Sequence, residues 1–132
     1  MRYMLLVYST EPPDGLTPEE ADRIRSGHGR VMAATAQKGI LRGAEPLAPT
    51  STATTVRMQD GKAMVIDGPF AETKEHLAGY YILDCENLDE AIEWAAQIPT
   101  ECHGGPGCIE IRPLRLQPRS AEFAGASAHG DG

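Results

Sequence analysis

"ATTVRMQDGKAMVIDGPFAETKEHLAGYYILDC" (residues 53–85) is the stretch on which the fold turns. Two strand-like runs flank Asp60-Gly61, a pair favoured where a tight hairpin turn needs positive φ at both central residues. The second run, "AMVID", ends at an acid and is followed at once by Gly68, Pro69 and Phe70. Glycine permits positive φ and proline locks its own φ, so a rigid turn is predicted there. Glu72, Lys74, Glu75 and His76 crowd the next positions before "LAGYYILDC" resumes as a strand with apolar residues on both faces.

On the N-terminal side, "RYMLLVY" (2–8) is apolar at nearly every position, as in a central strand buried on both faces. Thr17, Pro18 and Glu20 form a capping box with proline at the first helical position. From there Ala21, Ile24, His28, Val31 (or Met32) and Thr35 share one helix face, and Gly39 offers a stop. Residues 40–49 read as a short strand leading into a loop.

On the C-terminal side, Asn87 with Glu90 opens a helix over 88–98, which Pro99 ends. "ECHGGPG" (101–107) reads as a loop and "CIEIRPL" (108–114) as a last strand, with Ile109 and Ile111 on one face. The predicted order is β-α-β, an inserted hairpin, then β-α-β: an α+β, ferredoxin-like fold. Two helices cover only one face of such a sheet. A second copy related by a twofold axis is the simplest cover for the other, so a homodimer is expected. One domain is placed over residues 1–116, and the Ala-, Gly- and Ser-rich stretch 117–132 reads as a flexible tail.

The net charge of −7 leaves no basic footprint for phosphate, which argues against a nucleic-acid partner. The longest apolar run is far too short to cross a bilayer, and no secretory pattern opens the chain, so a cytoplasmic address is expected. The cysteines (Cys85, Cys102, Cys108) lack CxxC spacing. Cys102, adjacent His103 and Cys108 are conceivable metal ligands, but their spacing matches no recognised set. "GGPG" (104–107) precedes a strand rather than a helix, unlike a dinucleotide loop. Neither metal nor other cofactor is expected.

"RYMLLVY", "KGILRGAEPLAP", the block from Thr55 to Pro99 and "IEIRPL" together resemble the YCII-related family, in its branch named for a DGPF motif. The resemblance spans about residues 2–115. It implies a dimeric α/β barrel and an active site built on a His–Asp pair. The histidine of that pair matches His28. The aspartate does not carry over cleanly: the chain offers Glu45 in "RGAEPL" and, later, Asp67. Genes of the branch lie beside those for extracytoplasmic-function sigma factors, which implies a regulatory setting.

His28 is therefore the expected catalytic base, oriented by Asp67 with Glu45 as the alternative acid. The competing reading makes His28 a core histidine with both ring nitrogens satisfied, and Asp67 an acceptor for its own turn. Gly68, Pro69, Phe70, Glu72 and Lys74 are the expected ligand-binding residues, with Phe70 pinning the turn or lining a pocket. Gly27 and Gly29 flank His28 and signal either a close approach or a loose helix. Two functions follow. One is an enzyme for cofactor-independent proton transfer or addition–elimination on a small anionic or carbonyl-bearing molecule. The other is a non-catalytic ligand sensor, or a regulatory partner linked to a sigma factor.

Overall fold

Alternation along the first strand sets the architecture. In the computed structural model, which describes residues 1–115, β1 spans Arg2–Ser9, and its odd positions Tyr3, Leu5, Val7 and Ser9 are buried. The even positions Met4, Leu6 and Tyr8 face the other way and are only partly buried. The expected tail, 117–132, lies outside the described residues.

The remaining elements are α1 (Pro18–Gln37), β2 (Leu41–Pro46), β3 (Thr54–Gln59), β4 (Lys62–Asp67), β5 (His76–Asp84), α2 (Leu88–Ala95) and β6 (Gly107–Pro113). A single-turn 3₁₀ segment at Thr50–Thr52 precedes β3. The sheet runs β2-β5-β1-β6, all neighbours antiparallel, while β3 and β4 form a two-stranded sheet of their own. This is the ferredoxin-like arrangement with an inserted hairpin. The hairpin turn has φ of 53° at Asp60 and 78° at Gly61, the pairing the Asp-Gly signal predicts.

Pairing lines up one row across the sheet: Ala44 opposite Tyr81, Tyr81 opposite Leu5, Leu5 opposite Ile111. These side chains lie on the inner face, where Val31 of α1, Ala91 of α2 and Ile98 complete the core. The α1 capping box forms as predicted: Thr17 Oγ1 accepts from Glu20 N, and Glu20 accepts from Thr17 N. Thr35 is fully buried, and its hydroxyl is satisfied by donating to the Val31 carbonyl one turn back. The register slips between Val7 and Tyr8, leaving Ala78 as the extra residue of a bulge on β5. Among the described residues, no helix is long and apolar enough to cross a membrane.

The two α1 glycines have different roles. A Cβ on Gly27 would lie 2.7 Å from Cγ of Pro99, whereas one on Gly29 would meet nothing within 4 Å. Gly27 thus lets the turn after α2 seat against α1, and Gly29 has no such reason. Gly27→Ala should lower stability by about 1 kcal/mol net, overpacking outweighing the gain in helix propensity. Gly29→Ala should raise it by roughly 0.5–1 kcal/mol. Urea denaturation of both variants checks this; equal stabilisation by both would refute the close-packing role.

Candidate functional site

A cavity of about 370 Å³ lies between the inner face of the sheet and α1. Ile24, His28 and Met32 line it from the helix, Ala44 from β2, Ala78 and Tyr81 from β5, and Cys102 and His103 from the loop before β6. Spacing of three and four residues on α1 puts its three side chains on one face.

Two polar centres reach this space, the second through His103. In the first, His28 Nδ1 lies 2.7 Å from the Tyr81 hydroxyl and Nε2 lies 3.2 Å from Cys102 Sγ. The histidine and tyrosine rings stack, 5.9 Å between centroids and 20° between planes. Sγ in turn lies 3.7 Å from the Pro99 carbonyl. With the phenol donating to Nδ1, Nε2–H donates to sulfur and the thiol to Pro99, so every group is used while all stay neutral. Burial reinforces that state. It lowers the His28 pKa, raises the Cys102 thiol, and with Cys102 beside it pushes Tyr81 up to about 12.

The second centre joins three loops. Glu11, between β1 and α1, accepts from Thr50 Oγ1 at 2.6 Å and from Thr50 N at 3.1 Å. Its Oε2 also lies 3.0 Å from His103 Nδ1, in a pair whose side chains are only 18% and 13% exposed. Burial alone would raise the Glu11 pKa, but the Thr50 bonds and the nearby His76 and His103 outweigh it and lower it. The other His103 nitrogen, Nε2, faces the Leu47 carbonyl at 3.2 Å.

Residues 1–116 match the YCII-related domain. The chain belongs to the YCII-related family. It is also similar to an uncharacterized protein of Rhizobium meliloti (strain 1021), 38% identical over 117 residues that cover 88% of this chain and 94% of that one. Proteins of the YCII-related family are typically dimeric.

The acids expected beside the family-matched histidine lie elsewhere. Both ring nitrogens of His28 are engaged by Tyr81 and Cys102, not by Asp67 or Glu45. Asp67 is the exposed last residue of β4, paired across the hairpin with Thr54, and the separate two-stranded sheet carries it away from α1. Glu45 lines the cavity but is exposed.

The DGPF turn does not line the cavity either. Gly68 takes φ of 105°, donates to the Ala53 carbonyl at 2.7 Å and accepts from Thr55 Oγ1 at 2.7 Å. The positive φ at Gly68 is the one its sequence predicts, but Phe70 is 74% exposed rather than pinned to the core of its own chain. Pro69 is partly buried, and Glu72 and Lys74 are exposed. The reason is topological: the turn leads out of the small hairpin sheet and not out of the four-stranded one.

Tyr81, Cys102, Glu11, Thr50 and His103 had no place in the expected site. Glu11 lies in a loop, where no periodicity marks a functional side chain. Cys102 and His103 read only as conceivable metal ligands, and their partners come from distant parts of the chain. Tyr81 lies on a strand that reads as apolar on both faces, and alternation from buried Leu83 puts it under the helices.

The lowered His28 pKa gives a sign to the pH dependence. Below about pH 6.5 the unfolded histidine takes up a proton that the folded one resists, so His28 makes stability fall as pH drops. Glu11 acts in the same direction, but only in the lower, carboxylate range. From pH 7.5 to 5.5, His28→Gln should therefore lose less stability than the wild type in urea denaturation. Comparing the two chains cancels the other histidines, and equal losses would contradict a desolvated His28. Tyr81→Phe, which leaves Nδ1 without its 2.7 Å partner, should cost about 1–2 kcal/mol in the same assay.

Proposed function

We propose that this YCII-related protein is a homodimer that binds a small anionic or carbonyl-bearing organic molecule in the cavity beneath α1. The observation that carries the reading is the cavity itself: about 370 Å³, bounded by apolar side chains, with polar groups gathered at His28–Tyr81–Cys102 and at His103. Small-molecule sites have that makeup, an apolar pocket with a few convergent polar groups.

The neutral state of the first centre favours recognition over chemistry. The donors of Tyr81, His28 and Cys102 are already used within the centre, so it is left to offer acceptor atoms to a ligand hydroxyl, and burying a full charge against it would cost that charge its hydration. Where the molecule is turned over, the step is cofactor-independent proton transfer. The imidazole–carboxylate pair suited to it is His103–Glu11, with Nε2–H as the proton donor, in place of the base expected at His28 with Asp67.

Two surfaces support the dimer. The outward face of the sheet carries the half-buried Met4, Leu6, Tyr8 and Ile82. The β3–β4 hairpin and the turn after it expose Val56, Met58, Val65, Ile66 and Phe70. Apolar area on this scale would invite aggregation if left uncovered. A twofold copy covers both surfaces and gives the turn at Gly68 a role: it holds Phe70 in position for the partner.

Filling the cavity tests the ligand reading. A panel of small carboxylates, ketones and enones, screened by saturation-transfer NMR, should yield binders to the wild type that are lost in Ile24→Trp. Binding that survives in the filled variant would place the site elsewhere. Sedimentation velocity tests the dimer: wild type should run at twice the chain mass and Leu6→Glu at the monomer mass. A wild-type monomer at tens of micromolar would end the dimer proposal.

A further inference from the structure

The second polar centre is built differently from the first, and the difference names a ligand atom. The Glu11 carboxylate is held by Thr50 through both its hydroxyl and its amide, so its position is set before any ligand arrives. It fixes His103 Nδ1 at 3.0 Å. The backbone of His103 is fixed as well: its N–H donates to Ser9 Oγ at 3.3 Å, and that fully buried hydroxyl donates to the Gly105 carbonyl at 3.0 Å. An imidazole restrained in this way has one free choice, what its Nε2 faces.

Nε2 faces an acceptor, the Leu47 carbonyl at 3.2 Å. A carbonyl oxygen only accepts, so a hydrogen bond across this contact has Nε2 as its donor. Nε2 is thus presented as a donor on the lining of the cavity, with a carbonyl oxygen of the protein's own chain as its partner. Leu47 follows β2, and its exposed neighbours Ala48 and Pro49 belong to no strand. Its amide stays tied to the Ala78 carbonyl at 2.8 Å. A tilt of the Leu47–Ala48 peptide plane would therefore release Nε2–H without unseating the chain.

We propose that His103, positioned by Glu11, is the residue through which the cavity recognises an acceptor oxygen, and that a small carboxylate or ketone places its oxygen where the Leu47 carbonyl now sits. The proposal rests on the ligand-binding reading above and adds to it the recognising atom and an order of preference. A carboxylate oxygen makes a charge-assisted bond to Nε2–H, roughly twice as strong as a neutral one. A ketone merely replaces one carbonyl with another. A hydrocarbon of the same size leaves the Leu47 contact in place and gains only apolar burial.

Benzoate, acetophenone and ethylbenzene form a size-matched series for the test. Each is titrated into the full-length protein while the methyl signals of Ile24 and the ring nitrogens of His103 are followed by NMR. Expected are Ile24 shifts with all three probes, and His103 Nε2 shifts with benzoate and acetophenone alone, benzoate binding most tightly. In His103→Ala, benzoate should bind about tenfold or more weakly, with ethylbenzene unchanged. That variant leaves Glu11 without its partner and can lose folding stability, so the wild-type ring signal is the independent readout. Shifts at Ile24 with a silent His103 would overturn the proposal and leave the binding reading standing. If millimolar amounts of every probe leave both signals unmoved, the binding reading falls and the proposal with it.

Discussion

A phenol on the inner face of a sheet has to find a polar partner, and the register of β5 against β1 decides which one. Tyr81 stands between Ala44 and Leu5 in a row covered by helix, so its hydroxyl cannot turn to bulk water. His28 meets it at 2.7 Å with its ring stacked on the phenol. A slip of one residue would put Tyr80 under the helix and turn Leu83 outward, exchanging the two faces of the strand. The position of α1, the seating of Pro99 against Gly27 and the approach of Cys102 to Nε2 all follow from that one alignment.

The cavity that results has two walls with different electrostatics. Around His28 every partner is neutral, and burial keeps it so: a lowered imidazole, a raised phenol and a raised thiol reinforce one another. Around His103 one partner is a carboxylate whose own partners hold it ionised. Neutral wall and ionic wall belong to different layers of the structure. The first is made by regular elements packing face to face. The second is made by three loops brought to the same end of the sheet, as is usual for groups that handle ligands.

How much of this was legible depends on the range of the interaction concerned. The capping box at Thr17 and Glu20, the Asp60-Gly61 turn and the cap at Asn87 act within four residues, so sequence spacing identified them directly. The ferredoxin-like class followed from the element order. The inner face of α1 was legible from its period. The partners of His28 were not. Tyr81 is 53 residues away and Cys102 is 74, and no local pattern encodes either meeting. Asp67 was the acid nearest in motif, yet it rides on a hairpin that forms its own sheet.

The sequence by itself determined the element order, the helix N-caps, the hairpin turn, the ferredoxin-like fold and the family, because all of these rest on short-range sterics, hydrophobic period and motif; the second helix, expected to run to Pro99, ends at Ala95. Only the tertiary structure decided that Phe70 faces outward, that His28 lies in a neutral network, and that the imidazole–carboxylate pair is His103 with Glu11. Those outcomes depend on which loops meet at one end of the sheet and on how deeply each group is buried. Both are properties of the packed whole: desolvation and long-range hydrogen bonding arise only when distant segments close around the same space.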